Sequence, residues 1–221
     1  MSFYTGNRQE NTPGPIRGNP LNGLCEKACI QVKKVFDACL KQQHLEDFHL
    51  KLCHQKPAHP TAPLTFVSAQ SSTTKPVTIT NVTVTRFEER PNFARVTATV
   101  HIPLDVVYVD ANHVEGMAEG TIVLDQDVIL FVPQPSIIPF TIEPVASAVA
   151  PQGEFINCDT VNLECCVMLI LKVVAETELL VPTYGYCHIP PCQDFAQDVC
   201  AGFFEMPLFP TASGVGTLPN L

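Results

Sequence analysis

Charge is sparse in this sequence, and positive charge is the scarcer kind. Of 221 residues only 16% are charged, with 13 Lys and Arg against 22 Asp and Glu, a net of −9. General nucleic-acid binding needs a basic footprint, and an anionic membrane surface attracts the same sign, so neither is an expected partner. Long apolar runs are also missing. The longest, residues 165–175, contains Lys172 and is about half of the roughly 18–20 residues that a spanning helix requires. The opening residues, MSFYTGNRQENTPGP, lack the apolar core of a signal peptide, so synthesis without export through that route is expected. The chain contains no GxSxG, GxGxxG, P-loop or HExxH motif, which removes the commonest hydrolase, dinucleotide, NTPase and metalloprotease readings.

Cysteine and proline are abundant instead, at 10 and 20 residues. The cysteines are Cys25, Cys29, Cys39, Cys53, Cys158, Cys165, Cys166, Cys187, Cys192 and Cys200. Cytosolic proteins rich in cysteine usually bind metal or do redox chemistry, whereas an oxidised framework implies an exported protein. A protein made inside a cell and exposed when that cell breaks open satisfies both observations. A thiol–imidazole nucleophile pair is conceivable, for example Cys187 with the adjacent His188, but no feature that would activate a thiolate accompanies them. Glu88 with Glu89, and Asp125 with Asp127, read as solvated strand and loop carboxylates. No catalytic residue is therefore assigned, and an enzyme is not expected. Cysteines and histidines cluster at Cys39, His44, His49, Cys53 and His54 and again at Cys187, His188, Cys192 and Cys200, but without the tight CxxC pairs of most zinc sites. No metal ligand or cofactor is assigned. A soluble β-sandwich binding module with a structural Cys/His zinc site is the alternative reading.

Hydrophobic periodicity divides the chain into five parts. Residues 1–24 are Gly, Pro and Asn punctuation, an extended N-terminal arm. Residues 25–56 form a Cys/His-rich segment in which Cys25, Cys29, Val32, Phe36 and Cys39 fall at helical spacing, predicting a helix to about residue 42. HLEDFHLKLC, which follows, suits helix or strand equally. Residues 57–76 read as a linker. Residues 77–181 read as six to eight strands at hairpin spacing without βαβ alternation, an antiparallel β-sandwich. Within them the apolar set changes parity at Asn81, predicting a bulge. Val96 to Tyr108 alternate cleanly, with Pro103 predicting an edge or a bend. DANH at 110–113 predicts a turn, and Gly116 and Gly120 allow kinks in the returning strand. Residues 133–153 hold five prolines and predict a crossing loop with at most a short strand at 140–143. Residues 165–174 are apolar on both faces, predicting a strand buried on both sides, and adjacent Cys165 and Cys166 must point to opposite faces. Residues 182–221 are the C-terminal Pro/Cys/aromatic-rich segment, where Tyr184, Tyr186, Phe203, Phe204 and Phe209 are candidate assembly contacts.

Two stretches resemble a known family. KKVFDACLKQQHLEDFHL at 33–50 and VPTYGYCHIPPCQDFAQDVCAGFFEMPLFP at 181–210 are similar to the ends of cysteine-rich spore-surface proteins of clostridia and related spore formers. The likeness departs at His44, near which that family carries a cysteine. The resemblance implies a coat or exosporium protein made in the mother cell without a signal peptide and exposed on lysis. It would polymerise with itself, with or without other spore-surface proteins, into a lattice or filament locked by disulfides. All ten cysteines are candidates for those links.

Overall fold

In the computed structural model, residue 16 and residues 18–187 are described. Eight strands run in chain order: β1 (Glu26–Lys51), β2 (Cys53–Lys56), β3 (Thr65–Ser71), β4 (Thr78–Arg86), β5 (Phe93–Val109), β6 (Glu115–Phe131), β7 (Thr141–Asn157) and β8 (Thr160–Thr183). No helix occurs among the described residues. The protein is mainly β, and its strands join one antiparallel sheet in the order β1-β8-β7-β3-β5-β6-β2, with β4 added on β5. By contact the chain divides into two units, one of residues 31–177 and one of residues 1–30 with 178–221.

The unit of residues 31–177 is organised around the β5–β6 hairpin. Its register is unbroken from Phe93↔Phe131 to Val109↔Glu115. Alternation puts every even-numbered side chain of β5 on one face, and Ala94, Val96, Ala98, Val100, Ile102, Leu104, Val106 and Tyr108 are all buried there. The odd-numbered side chains of β8 from Val161 to Val173 are buried in the same core. The Tyr108 and Phe155 rings meet edge to face at 5.8 Å within it. Residues 110–113 make the expected turn, stabilised by Asp110. Its carboxylate accepts hydrogen bonds from the backbone N–H of Asn112 at 2.8 Å and of Val114 at 2.9 Å. These donors, Val114 foremost, hold the Asp110 carboxyl below its ordinary range against the opposing effect of desolvation. The bulge expected at Asn81 is present. Asn81 has φ 52°, and the β4–β5 register shifts between Thr80 and Thr83.

Several expectations are corrected. The helix expected after residue 25 is strand β1. An i, i+4 spacing is even and so fits a strand face as well as a helix face. Val32 and Phe36 are such a pair; the inward set then changes parity at Phe36 and Asp37, and alternation resumes from Cys39 to Leu45, both packed toward the core. The linker of 57–76 contains β3, which pairs with β5 from Thr65↔Val109 to Ser71↔Leu104. Pro103 is not on an edge. Its carbonyl accepts from Ser72 N at 2.8 Å, so its missing N–H faces the seam where β4 ends at His101 and β3 ends at Leu104. The crossing loop shrinks to residues 132–140 because residues 141–157 form β7. Pro151 lies in a register shift between Val149 and Gln152, and Pro144 pairs with Leu171 beyond the short reach of β3. Residues 165–174 are not buried on both sides, since Cys166 and Met168 are exposed. Gly116 and Gly120 do not kink β6. They make room: a Cβ on Gly116 would lie 2.5 Å from the Tyr108 ring, and one on Gly120 2.6 Å from Leu50.

In the other unit, Cys25 N donates to Thr183 O at 3.1 Å, and Tyr184 Oη donates to Pro20 O. Pro20 and Cys25 therefore have partners at Tyr184 and Thr183. The expectations for residues 1–15 and 188–221 lie outside the described residues.

Two variants test this account. Gly116→Ala should lower stability to chemical denaturation by about 1–3 kcal/mol, because a buried ring must move; an unchanged midpoint would contradict the packing of Tyr108. Asp110→Ala should lower the thermal midpoint at pH 7. A depressed carboxyl contributes stability above its unfolded value and loses it as pH falls through the folded one. The gap between variant and wild type should therefore close as pH drops below 3.8; a pH-independent gap would count against the ionised carboxylate.

Candidate functional site

Strand alternation decides which thiols reach solvent. Cys165 lies on the inward face of β8 and Cys166 on the outward face, so the first is buried and the second exposed. Burial, with the neighbouring Cys166 thiol adding to it, pushes the Cys165 thiol up to about 11. Cys39 is half-buried, while Cys25, Cys29, Cys53, Cys158 and Cys187 are exposed. All eight described cysteines are free thiols. Cys192 and Cys200 lie outside the described residues, as do Phe203, Phe204 and Phe209. Of the aromatic candidates, Tyr184 and Tyr186 are exposed.

The surroundings of Cys166 are apolar. Val149 stands directly opposite it on β7, and Met168 is paired with Ser147 one step further along the same outward face. Val145, Val149 and Met168 are each about half exposed, at 48%, 52% and 51%. An exposed thiol within an apolar strip combines a reactive group with a surface whose covering is favourable.

A second cluster was not legible in sequence. Glu119 lies at the centre of a row across three strands, with Cys53 opposite it on β2 and Asp105 opposite it on β5. Directly opposed residues face the same side of a sheet. His54 would ordinarily point away from Cys53. Its left-handed backbone, φ 51°, and the register shift between Cys53 and Lys56 bring its Nδ1 to 2.7 Å from Glu119 Oε2. Lys75 Nζ donates to the same carboxylate oxygen. Lys75 first and His54 second hold the Glu119 carboxyl below its usual range. Cys53 Sγ, a histidine nitrogen and a Glu119 oxygen all lie within 4.8 Å of one another. Of the Cys/His group read from sequence around residues 39–54, only Cys53 and His54 enter this cluster. His44 instead faces Glu46 at 3.4 Å.

Of the carboxylates read as solvated, Asp125 and Asp127 have partners. Asp127 is paired with Arg95, whose Nε donates at 2.8 Å, and Asp125 accepts from Thr99 Oγ1 at 2.8 Å. They border a shallow polar groove with Asn81 and Thr97. His188, the sequence neighbour of Cys187, lies outside the described residues.

Comparison with known proteins finds no matching family model, no similar curated protein and no similar solved structure.

Adjacent Cys165 and Cys166 give an internal test of this geometry. At pH 8 a thiol with a pKa near 11 is ionised in about one molecule in a thousand, and only the thiolate reacts. Native-state alkylation read by mass spectrometry should label Cys166 at least ~100-fold faster than Cys165, and denaturant should remove the difference. Equal native rates would overturn the assigned facing of β8.

Proposed function

We propose that the protein is a structural, self-assembling subunit whose copies are joined by disulfides. The observation that carries this reading is the exposure of six of the eight described cysteines, all as free thiols. Thiols placed on an outward sheet face and at chain segments flanking the core are positioned to meet another copy rather than one another. The apolar strip around Cys166 supports noncovalent docking before oxidation. Burying a fully exposed Val or Met side chain is worth about 1.5–3 kcal/mol, and these begin half exposed. In this reading the sheet folds over a single core as an antiparallel sandwich, a rigid block that loses little entropy on assembly. Contacts between unlike surfaces that do not close would give open lattices or filaments.

The place of assembly follows the resemblance of residues 33–50 and 181–210 to clostridial spore-surface proteins. A coat, exosporium or appendage layer built in the mother cell and oxidised after lysis fits a cysteine-rich chain. Self-association, with or without other spore-surface proteins, is the partner relation, and catalysis has no part in it.

Purified protein should be boiled with a thiol-blocking reagent, run with and without reductant, and imaged by negative-stain microscopy. The expected result is a ladder that collapses to 24.2 kDa on reduction, with regular arrays or fibres on the grid. Cys165→Ser should leave the ladder intact, since a buried thiol reaches no neighbour. A single monomer band with a featureless grid would refute the proposal.

A further inference from the structure

Independently of assembly, we propose that Cys53, His54 and Glu119 form an open, three-ligand zinc site. The donor set is one thiolate sulfur, one imidazole nitrogen and one carboxylate oxygen, each a common zinc ligand. The sulfur and nitrogen disfavour magnesium and calcium, which take oxygen. The three atoms already lie within 4.8 Å of one another. Tetrahedral zinc, with bonds of 2.0–2.3 Å, needs donors about 3.3–3.8 Å apart. The thiol lies within 4.8 Å of both partners, and the 2.7 Å contact between His54 Nδ1 and Glu119 Oε2 must widen. All three residues are on the surface or half-buried, so side-chain rotation supplies that movement.

Electrostatics gives an independent reason for a cation here. Asp105 and Glu119 are opposed across β5 and β6, an arrangement that repels when both are ionised. The charge is offset by Lys75, which bonds Glu119. A shared hydrogen bond joins His54 to Glu119 where the ion would sit. Zinc would displace Lys75 from Glu119, leave it the opposed Asp105, release the Cys53 thiol proton to solvent, and take the place of the proton His54 Nδ1 shares with Glu119, which moves to Nε2 or to solvent. The backbone is arranged for this. A left-handed residue at a bulge places two successive side chains on one side of the strand, and those two are a cysteine and a histidine. Three protein ligands leave one position for water or an incoming donor. Cys53 would then be withdrawn from the set of thiols available for disulfides.

The test uses the reduced full-length chain and Zn²⁺ alone, in competition with a chromophoric chelator. Wild type should bind one ion that is lost, or weakened at least about tenfold, in Cys53→Ser, His54→Asn and Glu119→Gln. Asparagine tolerates the left-handed backbone at position 54, and circular dichroism would verify that each variant keeps its β signal. Cys29→Ser, which removes an exposed thiol elsewhere, should bind as wild type. Equal weakening in Cys29→Ser, or none in the three ligand variants, would overturn the proposal. A readout on the unaltered chain guards against misfolded variants. Zinc should slow alkylation of Cys53 but not of Cys29 or Cys166, and uniform slowing of all three would contradict the site.

Discussion

The period-2 alternation of β5, locked in register against β6, is the constraint on which the rest of the structure depends. Eight consecutive even-numbered side chains from Ala94 to Tyr108 are buried on one face. A slip of one residue would turn that whole set outward, so the hydrophobic effect fixes the register strongly. The fixed register then decides what the opposite face displays. Asp105 must face the same way as Glu119, and Cys53 joins them because β2 adds to the far side of β6. Gly116 and Gly120 belong to the same constraint, since Tyr108 and Leu50 occupy the volume where their side chains would be.

The same logic on β8 produces the contrast between Cys165 and Cys166. One residue of displacement separates an inert buried thiol from a solvent-facing one beside Val149 and Met168. Among the described residues, facing decides which thiols are offered to solvent. Two exposed sheet-face arrangements stand out: a thiol in an apolar strip, which suits covalent joining of copies, and a thiol–imidazole–carboxylate group, which suits a metal ion. They need not compete, because they lie on different strands and draw on different cysteines.

Much of the fold was legible from residue pattern. The alternation of β5, the turn at 110–113, the bulge at Asn81 and the opposite facing of Cys165 and Cys166 all follow from local chemistry and a period of 2. The errors arose where pattern is degenerate or where a nonlocal partner decides. The i, i+4 spacings in β1 satisfied a helix and a strand alike, and its Phe36-to-Cys39 step, helical in pattern, is met by a change of facing at Phe36 and Asp37. Prolines 103, 144 and 151 read as breakers, yet each sits where the neighbouring strand ends, falls short or shifts register. The apolar outward positions of β8 looked buried because burial depends on what covers a face, and sequence does not state that. Cys53 and His54 were visible as a pair. Glu119, 65 residues from His54, enters only through the β2–β6 pairing.

The central claim is that exposed cysteines join different copies of the chain. Isotopically light and heavy preparations, mixed while reduced, oxidised together and digested without reduction, test it directly by mass spectrometry. Disulfide-linked peptides containing Cys166 should appear as mixed light–heavy pairs as well as light–light and heavy–heavy ones. If every disulfide-linked peptide proved purely light or purely heavy, the bonds would lie within single chains, and the account of a cross-linked assembly would be wrong.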